Sequence, residues 1–562
     1  MQHNLSMSLD FPPRTDSADK AAAPDVAAPD VAAADSAAAE PGRRDARPRE
    51  EPGLASLRQT FTRLGPEFYS NHAPQGLPQP RLRMVSEDAA RLLGLSAPDP
   101  GEARDAQACA QWAHRFSGNA AAAEAAAHTG PRACEAISTV YAGHQFGNWA
   151  GQLGDGRAHL LGEAPAPDSA QALGHAWWEV QIKGAGRTPW SRHADGRAVL
   201  RSSLREFLCS EAMWHLGVPT TRALCLVDSD LPVRRERLER AAVVARLSPS
   251  FLRFGHFEHF SHSGRHDALR RLVDYTVERL YPQAAQASNP ALALLREVSA
   301  ATAAMVARWQ CVGFVHGVMN TDNMSMLGWT IDYGPFGFVD AFDPGYTPNT
   351  TDAYGRYAWA RQPAVARWNL LALAQALLPL IGDETPARDA VEEFADHFMP
   401  AMRDGMQDKL GLGPARDDDP DLVQDWLDLL AACRADWTIA HRQLARCVAQ
   451  PQAGVPGALR EQFAAWPQRL QDWLERLQRR LDGLDAGQRA ARAERMRRVN
   501  PCYVLRHHLG QAAIDQAEAG DFGAARRLQQ VLRRPYEEQA GCEDLSAAPP
   551  ADAGPPVLSC SS

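Results

Sequence analysis

The sequence predicts a bilobed α+β fold, a mixed α/β N-terminal lobe followed by a mostly helical C-terminal lobe with extra helices at its end. Three observations predict it. Glycine-rich turns and β-branched runs alternate between residues 140 and 244, around one clear helix. From residue 266 onward, apolar residues recur at helical spacing in one run after another. Within the helical half lies a short polar stretch, His316 to Gly334, whose spacings suit phosphate and metal. At 562 residues with 45% hydrophobic content, the chain is long enough for one large bilobed molecule with a substantial core.

Residues 1–55 are dominated by an Ala/Pro/Asp tract and read as a disordered tail, because that composition buries too little apolar surface to offset ordering entropy. The tract lacks a basic n-region and a compact apolar core, so it is not a secretory leader, and its acidity argues against a mitochondrial transit peptide. The N-terminal lobe is expected over 56–255. Phe61, Phe68 and Tyr69 open it, ahead of a Pro-rich extended stretch to Pro80 and a helix over 86–93 closed by Gly94. The segment WWEVQIK, Trp177–Lys183, alternates as a strand, and 202–216 reads as a helix stopped by Gly217 and Pro219. The C-terminal lobe, 256–540, is expected to hold helices at 267–280, 290–312, 364–378, 421–449, 467–498, 503–518 and 522–532. Residues 541–562 form a flexible Ala/Pro-rich tail that carries Cys560.

Charge and cysteine usage exclude several classes. A net charge of −9 argues against nucleic acid as the main partner, since a phosphate backbone selects basic surfaces. Ten cysteines without a C-x-x-C pair fit reduced thiols in a cytosol better than a disulfide framework or zinc module. No run approaches the roughly eighteen consecutive apolar residues of a membrane span, so a cytoplasmic protein without membrane contact is expected.

The polar stretch reads HGVMNTDNMSMLGWTIDYG. A kinase catalytic loop has the form H-R-D-x-x-x-x-N, with D-F-G downstream. Counting from His316, Asn323 falls at the asparagine, and Asp332, Tyr333 and Gly334 stand for D-F-G. The third position, where a kinase keeps its catalytic aspartate, is Val318, which can neither accept a proton nor orient a hydroxyl. A different acid, Asp322, sits immediately before the asparagine. The chain is thus built to hold a nucleotide and metal, but not for ordinary phosphoryl transfer to a hydroxyl. Asn323 and Asp332 are the natural Mg²⁺ ligands, since Mg²⁺ takes one or two protein oxygens while phosphates and waters complete its octahedron. An aspartate before Tyr-Gly is also a turn starter.

Upstream, GQLGDGR at 151–157 brings Gly154, Gly156 and Arg157 together, a density of glycine that lets backbone N–H groups approach phosphate oxygens. Gly-Asp-Gly is equally a hairpin turn. Lys183 ends the strand, and Glu206 lies on the following helix; such a pair orients nucleotide phosphates in kinases. Ser203 and Glu206 also have the spacing of a capping box. Arg246 and Arg253 flank an aliphatic run before the crossover and suit phosphate clamping. His256, His259, His262 and His266 follow; zinc is conceivable, but Phe254, Phe257 and Phe260 among them favour a packed hinge. Glycine loop, strand lysine, helix glutamate, His…Asn and Asp-x-Gly follow one another as in a protein kinase, so the bilobed fold is read as kinase-like.

Five blocks, at 141–163, 182–224, 251–260, 312–346 and 500–522, resemble the selenoprotein O family, and the resemblance spans roughly 57–539. It implies a kinase-like fold that performs protein adenylylation, with the nucleotide flipped so that its α-phosphate faces the acceptor hydroxyl of a Ser, Thr or Tyr. Carried over by position, it implies nucleotide contacts at Gly154, Gly156, Arg157, Lys183, Asp195, Gly196, Arg246, Arg253 and Asp332. The proton acceptor falls on Asp322, the Mg²⁺ (or Mn²⁺) ligands on Asn323 and Asp332, and Glu206 pairs with the lysine. ATP is then the substrate, proteins are the acceptors, and transfer of UMP is a variant of the same chemistry. Cys560 holds the place of the family's C-terminal Cys or selenocysteine, a redox thiol whose partner is not evident here, since the segment after Gly345 reads Tyr-Thr-Pro-Asn. The competing readings are a small-molecule or protein phosphotransferase, which lacks its acid at 318, and a catalytically silent ATP-binding scaffold, which would have no use for metal ligands.

Overall fold

The computed structural model describes residues 57–127, 136–167, 174–550, 553–554 and 558–559; the expected tail at 1–55 and Cys560 lie outside them. Nine strands form one antiparallel sheet: β1 (Tyr69–Asn71), β2 (Arg81–Val85), β3 (Ile137–Gln145), β4 (Asn148–Gly154), β5 (Ala158–Pro165), β6 (Trp177–Lys183), β7 (Ala198–Val199), β8 (Arg222–Arg234) and β9 (Leu238–Ser248). The order is β1-β3-β5-β6-β9-β8-β2, with β4 on β3 and β7 on β9. A two-stranded ladder, β10 (Phe314–Val315) with β11 (Gly337–Phe338), lies beside the polar stretch.

The central strands are covered on both faces, and alternation assigns their residues to two cores. On β9, Ala242 and Val244 join the core beneath the Leu200–His215 helix, while Val243, Ala245 and Leu247 join the core around Trp112, Phe116 and Trp178. Arg246 shares the parity of Ala242 and Val244, so it faces the helix side. On β6, Val180 and Ile182 take the Trp178 core, which leaves Gln181 and Lys183 on the helix side with Arg246. The β6–β9 register sets Gln181 directly opposite Arg246. A single period-2 pattern thus collects the polar residues of two strands on one face.

Most of the helical expectations hold, among them Glu87–Leu92, His266–Leu280, Pro290–Val312, Gln362–Ile381, His507–Glu518 and Gly523–Leu532. Two expected long helices are each two shorter ones. The 421–449 run breaks between Asp419–Cys433 and Trp437–Ala449, where Arg434 adopts φ 49° and Asp436 caps the new helix by accepting from Ile439 N at 2.8 Å. The 467–498 run breaks between Pro467–Arg480 and Ala486–Val499 at Gly483, with Asp485 and Gln488 exchanging cap hydrogen bonds. The 27-residue helix Glu384–Leu410 is not among the expected ones, and it runs through Pro400 and Gly405. Gly405 is there because a Cβ would stand 2.5 Å from Cys311 Sγ. A short helix, Glu543–Ser546, interrupts the expected C-terminal loop.

Two helices, Pro290–Val312 and Trp359–Ile381, are long and apolar enough to cross a membrane by length and composition, with mean hydropathies of 1.3 and 1.5; half or more of each window is buried in the core. The last helices fold back onto the sheet. Gln529 Nε2 donates to Val85 O at 2.9 Å, Arg533 pairs with Asp88 at 3.1 Å, and Tyr536 OH donates to Leu216 O, just past the Leu200–His215 helix, at 3.1 Å.

Candidate active site

A cleft of about 740 Å³ lies between the helix-side face of the sheet and the polar stretch, a volume typical of small-molecule sites. Gly154, Gly156, Arg157, Lys183, Asp195, Gly196, Glu206, Arg246, Arg253, Asp322, Asn323 and Asp332 all line it, as does Val318. Residues spread over nearly 180 positions of sequence therefore converge on one space.

At its centre three cations meet two carboxylates. Lys183 Nζ donates to Glu206 Oε2 at 2.7 Å and to Asp332 Oδ1 at 3.2 Å. Arg246 Nη1 donates to Glu206 Oε1 at 2.9 Å and Asp332 Oδ1 at 2.7 Å, and its other two nitrogens grip Gln181 Oε1 at 2.9 and 2.6 Å. Arg253 Nη1 donates to Asp332 Oδ2 at 2.6 Å and to Asp322 O at 2.7 Å. These cations hold the Asp332 carboxyl well below the usual carboxylate range, against the cost of its burial. Asp332 itself sits at φ 57°, uncommon for a residue with a Cβ and frequent at functional positions. The Leu200–His215 helix starts three residues before Ser203, with Val199 at its N-cap, so Glu206 is not part of a capping box but of this cluster.

Asp322 is built differently. Burial pushes its carboxyl up to about 6, although Arg253 and Gln145 both oppose the rise. Gln145 Nε2 approaches Oδ2 at 3.4 Å, whereas the buried Oδ1 has no hydrogen-bond partner. The β3–β4 turn lies over this loop: His144 N donates to Thr321 Oγ1 at 2.7 Å and Phe146 N to Asn320 Oδ1 at 3.1 Å. Beside it, Asn323 Nδ2 donates to Val318 O at 3.0 Å. His316, the first residue of the stretch, is buried; its Nε2 lies 2.9 Å from Ile331 O, tying the catalytic-type loop to the segment that ends in Asp332.

The glycine-rich run is not a β4–β5 hairpin, because β4 pairs with β3 and β5 pairs with β6 and β3. Its turn is fastened instead. Asp155 Oδ2 accepts from Thr139 N at 2.9 Å and Thr139 Oγ1 at 2.6 Å, Thr188 Oγ1 donates to Asp155 O at 2.7 Å, and Ser191 Oγ donates to Gly156 O. Gly154 has φ 155°, and a Cβ there would stand 2.5 Å from the Trp190 ring. Asp195 is paired in a two-pronged fork with Arg235, at 2.8 and 2.9 Å, and it caps Arg197 N at 2.9 Å. Arg157 and Arg192 line the cleft with no side-chain hydrogen bond or ion pair among the described residues.

The four histidines do not converge. His256 Nδ1 accepts from Arg253 N at 3.1 Å and burial keeps its ring neutral, His259 meets Arg265, and His262 stacks on Trp149. Sequence reasoning missed Gln181, Gln145, Arg192 and Arg235. Only strand parity could have flagged Gln181, which alternates with Lys183 on β6.

Oxygen donors from Asn323 and Asp332 suit a hard divalent cation, and the surrounding guanidinium and ammonium groups suit phosphate. Residues 54–533 match the family model described as protein adenylyltransferase SelO. The chain is 48% identical over 519 residues to the protein nucleotidyltransferase YdiU of Burkholderia multivorans, covering 89% of this chain and 95% of that one. It is 49% identical over 516 residues to the protein of the same description from Paraburkholderia xenovorans, with the same coverage, and 47% identical over 524 residues to that of Burkholderia mallei, covering 91% and 96%. On this extent of match, the chain belongs to the SelO family of protein adenylyltransferases.

Proposed function

We propose that this protein transfers AMP from ATP to Ser, Thr or Tyr hydroxyls of acceptor proteins with release of pyrophosphate, and that UMP transfer from UTP is the same reaction with another base. The observation that carries the reading is Asp322: a cleft carboxylate with one buried oxygen unpartnered, next to a loop whose usual acid position is Val318. A carboxyl raised to about 6 is still mostly ionised at neutral pH and takes a proton more readily than an ordinary aspartate. Asp322 accepts the hydroxyl proton as the acceptor oxygen attacks the α-phosphorus; the α–β bridging bond breaks, and pyrophosphate carries away the electron pair. Lys183, Arg246, Arg253 and Arg157 bind the phosphate oxygens and neutralise charge that develops on them, the main source of catalysis in reactions of this type. Gly154 and Gly156 let the backbone approach the phosphates, and Asp195 and Gly196, which line the same cleft, are further nucleotide contacts. Glu206 orients Lys183. Asn323 and Asp332 would hold Mg²⁺ or Mn²⁺, which when bound offsets triphosphate charge. The order of these parts supports a kinase-like, bilobed arrangement divided near residue 255, with ATP inverted relative to a kinase.

The test uses purified protein, Mg²⁺ and a model protein acceptor, with ATP labelled at either the α- or the γ-phosphate. Acceptor labelling from α-labelled ATP alone, lost in Asp332→Ala, is the expected result. Labelling from γ-labelled ATP alone would make the protein a kinase and overturn the assignment of Asp322.

A further inference from the structure

The Asp332 carboxylate is ringed by three cations. Its Oδ1 accepts from Lys183 at 3.2 Å and Arg246 at 2.7 Å, and its Oδ2 accepts from Arg253 at 2.6 Å. None of these donors is free to swing into solvent. Arg246 and Arg253 are each 2% exposed. Arg246 is pinned by Gln181 and Glu206, and Arg253 by Asp322 O and the Tyr141 ring at 4.9 Å. Three cations face two carboxylates, so the cluster carries one net positive charge before any divalent cation arrives. A dication joining Asp332 has to sit among three buried, hydrogen-bonded cations, which Coulomb repulsion at these distances opposes strongly. A triphosphate meets the reverse situation. It brings several negative charges and many acceptor oxygens to the same three donors, with Arg157 and Arg192 available at the rim.

We propose that Asp332 is closed to a divalent cation until a triphosphate has drawn Lys183, Arg246 and Arg253 onto its own oxygens, so that nucleotide binds first and metal second. The inference rests on the reading of the cleft as a nucleoside triphosphate site, and it assigns the three cations a second role as a gate on the metal ligand. Mg²⁺ sites completed by substrate phosphates rather than by a protein cage are consistent with this order.

The experiment uses the full chain, Mn²⁺ followed by electron paramagnetic resonance, and α,β-methylene-ATP, which binds as a triphosphate but cannot break between its α- and β-phosphorus to release pyrophosphate. Without nucleotide, the protein is expected to bind Mn²⁺ at the Asp332-dependent site about 100-fold more weakly than with the analogue, at the strong end of the usual coupling between two ligands. Calorimetry in EDTA is expected to show the analogue binding without metal. Arg253→Gln separates gating from a merely structural role, since it should move the two ligands in opposite directions: Mn²⁺ alone binds more tightly than to wild type, and the metal-free analogue more weakly. Should Arg253→Gln fail to fold, the two wild-type measurements decide. A Mn²⁺ site that is lost in Asp332→Asn but has equal affinity with and without the analogue overturns the order, as does an analogue that binds only when Mn²⁺ is present. If the protein were a kinase, both binding results would stand while the transfer assay failed. If the analogue did not bind under any condition, the nucleotide reading and the order would fall together.

Discussion

Gly143 lies where β3 passes the catalytic-type loop, and a Cβ on it would stand 3.0 Å from Thr321 Oγ1 and 3.1 Å from Asp322 Oδ1. Neither neighbour can yield without shifting, because Thr321 accepts from His144 N and Asp322 O accepts from Arg253. Gly143→Ala should therefore displace Asp322 and cost at least tenfold in turnover, as misplacements of about 1 Å can do, with thermal stability little changed. Asp322→Asn removes the proton acceptor while preserving shape; turnover should fall about 10²- to 10⁴-fold with ATP affinity retained, which transfer assays paired with calorimetry would show. Equal turnover by this variant would remove Asp322 from the mechanism. At this scale the sequence was most legible where partners are close along the chain. Val318, Asp322, Asn323 and Asp332 form one spaced motif, readable as a unit. Gln181 and Arg235 serve partners 65 and 40 positions away, a pairing that only the folded register creates.

Among the elements, the sheet carries a second buried acidic pair on β5 and β6. Glu163 and Glu179 are register partners. Glu163 is satisfied by Arg279 at 2.8 Å and by Thr60, whereas Glu179 accepts from Phe251 N at 2.7 Å. Burial, with the Glu163 charge adding to it, pushes the Glu179 carboxyl up to about 8; Arg279 opposes the rise. A carboxyl whose folded pKa lies above its unfolded value favours the fold at low pH, and that contribution drains away as pH climbs from about 4.5 through 8. Glu179→Gln, neutral throughout and still able to accept from Phe251, should gain stability over wild type as pH rises from 5 to 8.5, seen as a widening gap in Tm. A gap that stays constant would place the proton elsewhere. The elements also show where sequence patterns mislead. Apolar spacing ran through the breaks at Arg434 and Gly483, because each new helix resumes the same buried face; only the cap residues Asp436 and Asp485 mark the joints. Glu384–Leu410 continues through Pro400 and Gly405, residues that disfavour a helix interior, because a helix of 27 residues is long enough to absorb both.

Across the whole molecule, the helices nearest the C-terminus brace the helix that carries Glu206. Arg533 reaches Asp88, Gln529 reaches Val85 O and Tyr536 reaches Leu216 O, while Arg237 in the β8–β9 turn pairs with Glu518 at 2.7 Å. Arg533→Ala combined with Tyr536→Phe should speed amide hydrogen exchange at residues 208–216 and lower turnover several-fold, while exchange in Glu384–Leu410 stays as in wild type. Unchanged exchange at 208–216 would mean that the sheet alone holds the helix. The α+β class and the order of the parts were legible from composition and motif order. The return of the last helices to the sheet was not, since nothing local in 507–536 names a partner more than three hundred residues earlier.

That return has a bearing on how the protein is made. The contact at the end of the Glu206 helix joins positions 320 residues apart and the Arg533–Asp88 pair beside it positions 445 apart, so neither can form until residues 533–536 have left the ribosome. Synthesis runs at about 5–20 residues per second. For tens of seconds a nascent chain can therefore expose the glycine loop, Lys183 and the Asp322 loop without the brace that sets Lys183 against Glu206. The arrangement withholds that support until residues 507–536 have emerged, and any chain terminated before residue 507 lacks it.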